Sequence, residues 1–297
     1  MAASDLDDRD PLARLIERLD LAAHGADRFE ARATNGMRRL FGGMIAAQSA
    51  VAAMRTVDDA RLHSLHGYFL RAGRPGVPLV FEVARLRDGI SFAARRVVAR
   101  QGADVIFELL ASFTDRETGV AHDHEPPGGA ALAAGPAALP DWESVRSRET
   151  GEPPRAPDAI EVRVVRPEDD RPGVAPPPHR AVWMRTRGPL PDDPAIHTAL
   201  LVYASDRTLL RTAARLHGGM RDRLPASLDH AVWLHRPPGV DFRLDDWLLY
   251  ASETPIASGG RALVQGRMLT RDGVRVATVV QEGLLRRRAA ERSSRTP

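Results

Sequence analysis

The sequence predicts an α+β fold made of two tandem copies of one unit, each an antiparallel sheet wrapped around a single buried helix. Three observations lead there. Phe41–Met54 and Pro194–Asp206 each contain a run that is small or apolar on every side, and such a helix has to be enclosed rather than laid on a surface. After each of these segments the hydrophobic period falls to two, the mark of strands. Each series of strands then closes in a tight hairpin, Gln101-Gly102 in the first copy and Asp272-Gly273 in the second. Repetition of this kind is a duplication. One sheet alone would keep a greasy face exposed; pairing two copies hides it and leaves a cleft where they meet.

The elements follow in order. Asp10–Ala23 has leucines at helical spacing and reads as a short amphipathic helix, and Arg28–Ala33 as a strand. The buried helix Phe41–Met54 is entered through Gly42 and Gly43. Strands are expected at Leu62–Arg71, Leu79–Arg87, Phe92–Arg100 and Ala103–Phe113. From Thr114 to Ile160 Pro and Gly accumulate without helical or strand periodicity, so this stretch reads as a mobile linker. His122, His124 and Glu125 at its start are metal-binding residue types, but in a loose linker they read as solvated. The second copy places strands at Glu161–Arg166 and Ala181–Arg187. Its helix begins at Pro194, capped by Asp193, and further strands lie at Ser227–His235, Trp247–Thr254, Ala262–Thr270 and Val274–Leu285. The division is therefore 1–118 for the first copy, 119–158 for the linker, 159–290 for the second copy and 291–297 for a basic tail.

Composition excludes several classes. The 297 residues allow two domains and a large core. All 42 basic residues are Arg, 39 acidic residues are interspersed with them, and aromatics are only 5%, so no basic stripe with stacking residues marks a nucleic-acid partner. The absence of cysteine removes thiolate nucleophiles, disulfides and cysteine-ligated zinc. The acidic start Met-Ala-Ala-Ser-Asp-Leu-Asp-Asp lacks the apolar core of a signal peptide, and no run approaches the ~20 apolar residues of a membrane helix. A cytoplasmic protein is expected. Exposed sheet edges favour a homo-oligomer, a dimer or tetramer.

Polar residues at element ends carry the chemistry. Asp206 ends the second buried helix, the wrong end for a negative charge. Overlaying the copies sets Gln48 against Asp206 and Leu110 against Gln281, so polar residues differ at buried positions where a purely structural duplication needs no difference. Ser227 at a strand start and Gln281 among Ala277 and Val279 are the other two groups the fold would bring toward Asp206. A carboxylate, a hydroxyl and an amide around one point suit a water molecule: Asp206 accepts its proton while Ser227 and Gln281 fix its place. Singly each has a plainer reading, as a surfacing helix end, a turn hydroxyl and a backbone-satisfied amide.

At these residues the chain resembles the acyl-CoA thioesterase II family, whose fold is the double hotdog. The resemblance runs from about Leu12 to Leu285, outside most of the linker. It rests on Phe41-Gly-Gly, Leu62-His-Ser-Leu-His-Gly-Tyr-Phe-Leu-Arg71 and Leu86-Arg-Asp-Gly-Ile-Ser-Phe-Ala-Ala-Arg-Arg96 in the first copy. In the second it rests on Pro178-His-Arg-Ala-Val-Trp183, Tyr203-Ala-Ser-Asp206, Ser227-Leu-Asp-His230, Trp233-Leu-His-Arg-Pro237, Trp247-Leu-Leu-Tyr250 and Val280-Gln-Glu-Gly283. It implies hydrolysis of a fatty acyl-CoA to a free acid and CoA, with no cofactor and no metal, by a water that Asp206, Ser227 and Gln281 orient and activate. Met44 and Ala72 depart from the family pattern, which commonly has Gln and Pro there; neither touches the trio.

The oxyanion of such a reaction needs donors, and the Gly42-Gly43-Met44 turn at a helix N-terminus offers backbone N–H groups. No Gly-x-Ser-x-Gly elbow is present, which argues against a serine nucleophile. His66 and His230 read as core or hydrogen-bonding histidines; Trp183, Trp233, Trp247, Tyr68 and Phe69 read as sheet packing. Arg95, Arg96 and Arg236 are candidates for the CoA phosphates. Two rivals stand beside this reading. One is an enoyl-CoA hydratase-type hotdog enzyme, which wants an Asp–His pair that Asp206, followed by Arg207, lacks. The other is a non-catalytic acyl-CoA-binding protein, which needs none of the trio.

Overall fold

Helix α1 (Pro11–Leu19) starts where Pro fits best, at the first turn, and Asp10 caps it by accepting from the Ala13 N–H at 3.1 Å. Its leucines Leu12, Leu15 and Leu19 form one buried stripe. The computed structural model describes residues 10–33, 40–58, 60–115, 119–124, 129–171, 173–219 and 223–287. Short strands β1 (Ala22–Ala23) and β2 (Arg28–Ala31) lead to α2 (Gly42–Met54), in which every residue from Ile45 to Ala53 is buried. Strands β3 (Arg61–Phe69), β4 (Leu79–Asp88), β5 (Phe92–Gln101) and β6 (Asp104–Thr114) complete the first copy.

The second copy repeats this plan. It has β7 (Ile160–Val164), β8 (His179–Thr186), and α5 (Pro194–Ser205), which is buried from His197 onward and capped by Asp193. A further helix that periodicity did not reveal, α6 (Leu209–Arg215), follows. Strands β9 (Arg223–Ser227), β10 (Asp229–Leu234), β11 (Leu248–Ser258), β12 (Arg261–Leu269) and β13 (Arg275–Arg287) close the chain.

The two expected sheets are halves of one. β3 pairs antiparallel with β10, Leu65 opposite Val232 and His66 opposite Ala231, so the thirteen strands among the described residues join edge to edge. Asp229 reinforces the seam: one carboxylate oxygen accepts from the Glu282 N–H at 2.6 Å and the other lies 3.0 Å from His66 Nε2. Helices α2 and α5 pack on each other within a single apolar core that spans both copies.

Strand parity corrects the overlay. Leu110 points outward and is 55% exposed, whereas Gln281 is fully buried, so the two are not counterparts. Gln48 also sits in mid-helix, while Asp206 caps a helix end. Ser227 is the last residue of β9 rather than a strand start. It pairs opposite Gly283, and the register slips by one residue across Leu228 before β10 resumes on β13. A bulge of this kind turns a side chain out of its regular alternation.

The segment read as a mobile linker carries α3 (Gly129–Ala134) and α4 (Trp142–Thr150). Asp141 caps α4 through the Ser144 N–H, and Gly151 ends it at φ 73°, a conformation that suits glycine. Buried Val145 and Trp142, which packs against the core, are the only apolar anchors of α4, and cation contacts add to them, which is why no hydrophobic period shows. The guanidinium groups of Arg180 and Arg211 lie over the Trp142 ring, 4.7 and 4.4 Å from its centre, and Glu149 pairs with Arg211. Arg146 is bonded to Glu143, Glu152 and the Pro153 carbonyl. Among the histidines at the start of the segment, the His122 and His124 rings stand 5.1 Å apart; Glu125 and the tail 291–297 lie outside the described residues. No described helix is long and apolar enough to cross a membrane.

Trp142→Ala is expected to lower stability by about 2–3 kcal/mol. Limited trypsin digestion should then cut within 142–155, which stays intact in the wild-type protein.

Candidate active site

The last turn of α5 delivers Asp206 to the junction of the copies, at the bottom of a cleft of about 1220 Å³. The first copy contributes Phe41, Gly42 and Phe69 to its walls, the linker Trp142 and Arg146, and the second copy Ser227 beside Asp206. The N-terminus of α2 comes up against the C-terminus of α5. A Cβ on Gly42 would lie 3.0 Å from Asp206 Oδ2, and one on Gly43 would lie 2.7 Å from the Tyr203 carbonyl and 2.6 Å from the Phe41 ring. Two glycines are what allow the helix ends to approach so closely.

This approach resolves the adverse helix dipole. The C-terminal end of α5 repels the carboxylate, but the N-terminal end of α2 faces it and the Gly43 N–H is directed to it. Gln281 Nε2 donates to Asp206 Oδ1 at 2.7 Å, and Ser227 Oγ stands 3.5 Å from the same atom, a long contact that leaves the hydroxyl loosely held. Burial pushes the Asp206 carboxyl from 3.8 up to about 6, against the opposing pull of the Gln281, Gly43 and Ser227 hydrogen bonds and the Arg207 charge.

The three groups proposed from the sequence thus meet, with one difference of role. Asp206 and Ser227 line the cleft, whereas Gln281 stands behind Asp206, fully buried, with its amide nitrogen spent on the carboxylate. The Gly42-Gly43-Met44 turn divides likewise. Gly42 faces the cleft, and the N–H groups of a helix's first turn have no acceptor within the helix. Gly43 serves the carboxylate, and the Met44 N–H donates to the Phe41 carbonyl at 3.1 Å. The Met44 side chain lines a small neighbouring chamber of about 60 Å³ with Gln48 and Tyr203.

The histidines take no part in the cleft. His230 is fully buried against Ser205 Oγ at 2.7 Å, and burial lowers it to about 4, so it stays neutral. The arginines named from the sequence are elsewhere. Arg95 is 1% exposed and bonded to Thr56 and Asp88, Arg96 pairs with Glu108, and none of Arg95, Arg96 and Arg236 lines the cleft.

Several contributors escaped the sequence reading. Tyr250 donates its hydroxyl to the Ser205 carbonyl at 2.9 Å and steadies the helix end, in space that Gly266 leaves for its ring. Asp158, from the linker, pairs with Arg207 at 2.8 Å. Trp142 had a readable signal, since Asp141 and Gly151 bracket its helix with an N-cap and a C-cap residue.

One sheet wrapped around two buried helices, with a carboxylate site at their meeting ends, defines a double hotdog protein. In agreement, a protein from Alicyclobacillus acidocaldarius described as having a hot dog fold superposes with a TM-score of 0.73 at 20% identity, covering 92% of this chain and 98% of that one. The family model for acyl-CoA thioesterase matches residues 157–284, and that for the acyl-CoA thioesterase N-terminal domain matches residues 30–114. Acyl-coenzyme A thioesterase 8 of Mus musculus is 37% identical, over 84% of this chain and 81% of its own. The crystal structure of acyl-CoA thioesterase II TesB2 from Mycobacterium marinum is 42% identical with a TM-score of 0.77, covering 93% of this chain and 99% of that one. The chain belongs to the acyl-CoA thioesterase family of double hotdog hydrolases.

Because the native value of Asp206 lies above its unfolded one, the stability it contributes is complete below about 3.8 and is lost as pH rises through about 6. At neutral pH its ionisation therefore costs stability. Asp206→Asn should stabilise the fold at pH 7 by on the order of 1–3 kcal/mol, seen as a raised Tm, and leave Tm unchanged near pH 3. Thermal melts at the two pH values measure this.

Proposed function

We propose that the protein hydrolyses acyl-CoA thioesters to a free acid and CoA, with Asp206 as general base. The observation that carries the reading is a carboxylate poised near neutrality at the bottom of the cleft, fixed from behind by Gln281 and flanked by Ser227. Ionised Asp206 and the Ser227 hydroxyl hold a water molecule between them. Asp206 takes one proton from it as the oxygen bonds to the thioester carbonyl carbon, and the carbonyl π electrons move onto the oxygen. That oxyanion is met by the Gly42 N–H and the positive end of α2. Collapse re-forms the carbonyl, the C–S bond breaks, and the departing thiolate recovers the proton from Asp206. Gln281 is a positioning residue: it sets the carboxylate and does not touch the substrate.

A base must be ionised to act, so kcat/KM should climb with pH through about 6 and level off above it. Free-thiol release from acyl-CoAs of several chain lengths tests the assignment. Asp206→Asn is expected to lose at least ~10²-fold in kcat while remaining folded, and Gln281→Ala to lose ~10-fold or more with a displaced pH profile. Release of thiol by wild type and Asp206→Asn alike would remove Asp206 from the mechanism. Tight binding of acyl-CoA with no thiol released would favour a binding protein instead.

A further inference from the structure

Six arginines line the cleft: Arg71, Arg146, Arg155, Arg207, Arg211 and Arg286. Three are spent within the protein. Arg207 pairs with Asp158 at 2.8 Å, Arg146 with Glu143 and Glu152 at 2.7 and 2.8 Å, and Arg211 with Glu149. The others are not. Arg71 keeps 4.0 Å from Asp104 and is 58% exposed, its nearest bond being to the Val105 carbonyl. Arg155 is 70% exposed and lies 3.9 Å from Glu152, a carboxylate already bonded to Arg146. Arg286, exposed near the end of β13, forms no ion pair among the described residues.

These three come from separate parts of the chain: just after β3, just after α4, and near the end of β13. The first copy, the linker and the second copy thus each bring one solvent-accessible cation to the same cleft, two of them held only by long, exposed ion pairs and the third by none among the described residues. Exposed pairs near 4 Å offset little of the charge, so like charges lining one cleft repel, and an anion shared between them relieves the cost. Among the described residues, the only cleft carboxylate that lacks an arginine bonded to it is Asp206 itself. The cleft therefore joins a reacting floor to a cationic rim. A thioester of CoA has the matching polarity, an uncharged reacting group at one end of its pantetheine arm and a diphosphate with a phosphomonoester at the other.

On the thioesterase reading given above, we propose that Arg71, Arg155 and Arg286 form the receiving site for the phosphates of the CoA nucleotide. They are binding residues that act on KM. The role of α4 follows: clamped through Trp142, it holds Arg155 opposite the two arginines of the hotdog halves, so the linker completes the substrate site.

The test compares an acyl-CoA with the same acyl group on N-acetylcysteamine, which has no phosphate, for wild type, R71Q, R155Q, R286Q and the triple variant. Each single substitution is expected to raise KM for acyl-CoA about fivefold and the triple about 10²-fold, with kcat within about twofold and the phosphate-free substrate unaffected. Added salt should raise the wild-type KM for acyl-CoA and barely change that of the triple variant. Wild-type KM values in the variants, or equal losses on both substrates, overturn the assignment while leaving thioester hydrolysis in place. Calorimetric binding of CoA itself reads the site without turnover. It should weaken about 10²-fold in the triple variant, and unchanged binding overturns the proposal even if the hydrolytic reading fails.

Discussion

The contact on which the site depends is the meeting of two helix ends of opposite polarity over one carboxylate. Asp206 lies at the end of α5 that disfavours it, and the N-terminus of α2 compensates only because Gly42 and Gly43 have no side chains. Each copy alone is therefore incomplete. Asp206 belongs to the second and its electrostatic support to the first, and the β3–β10 seam holds the two in register. Burial lifts the carboxyl to about 6, which leaves it mainly ionised at neutral pH yet more basic than an exposed aspartate.

The duplication makes one such site, and the other helix shows why. The end of α2 carries the charge that a helix C-terminus favours: buried Arg95 bonds both the hydroxyl and the carbonyl of Thr56. Two copies of one element thus end in opposite ways. One end is satisfied by a cation and serves stability. The other holds an anion at a cost, and on the proposed mechanism that anion is the base, an exchange of stability for function.

Much of this was legible in the sequence because it rests on periodicity. Helices buried on all sides, period-two strands and hairpin glycines place the main elements to within a few residues, and a charge at the wrong end of a helix singles out Asp206. What escaped depends on register or on polar packing. Leu110 was set against Gln281 because similarity of residues carries no strand parity, and the bulge at Leu228 that places Ser227 leaves no mark of its own. Helix α4 has almost no apolar face, since it is fastened through Trp142 and arginine pairs, so a search for hydrophobic period passes over it despite its caps. The approach of Gly43 to Tyr203 joins residues far apart in the chain, which spacing does not encode.

The central claim is that Asp206 activates a water and does not itself attack the thioester. Its most direct test is a single turnover in water enriched in oxygen-18, with enzyme in excess over acyl-CoA. Water attack on the substrate predicts that the released acid carries the label and that the peptide containing Asp206 keeps its ordinary mass. Label in the Asp206 side chain, with an unlabelled acid from that first turnover, would mean an acyl-aspartate intermediate and would contradict the account.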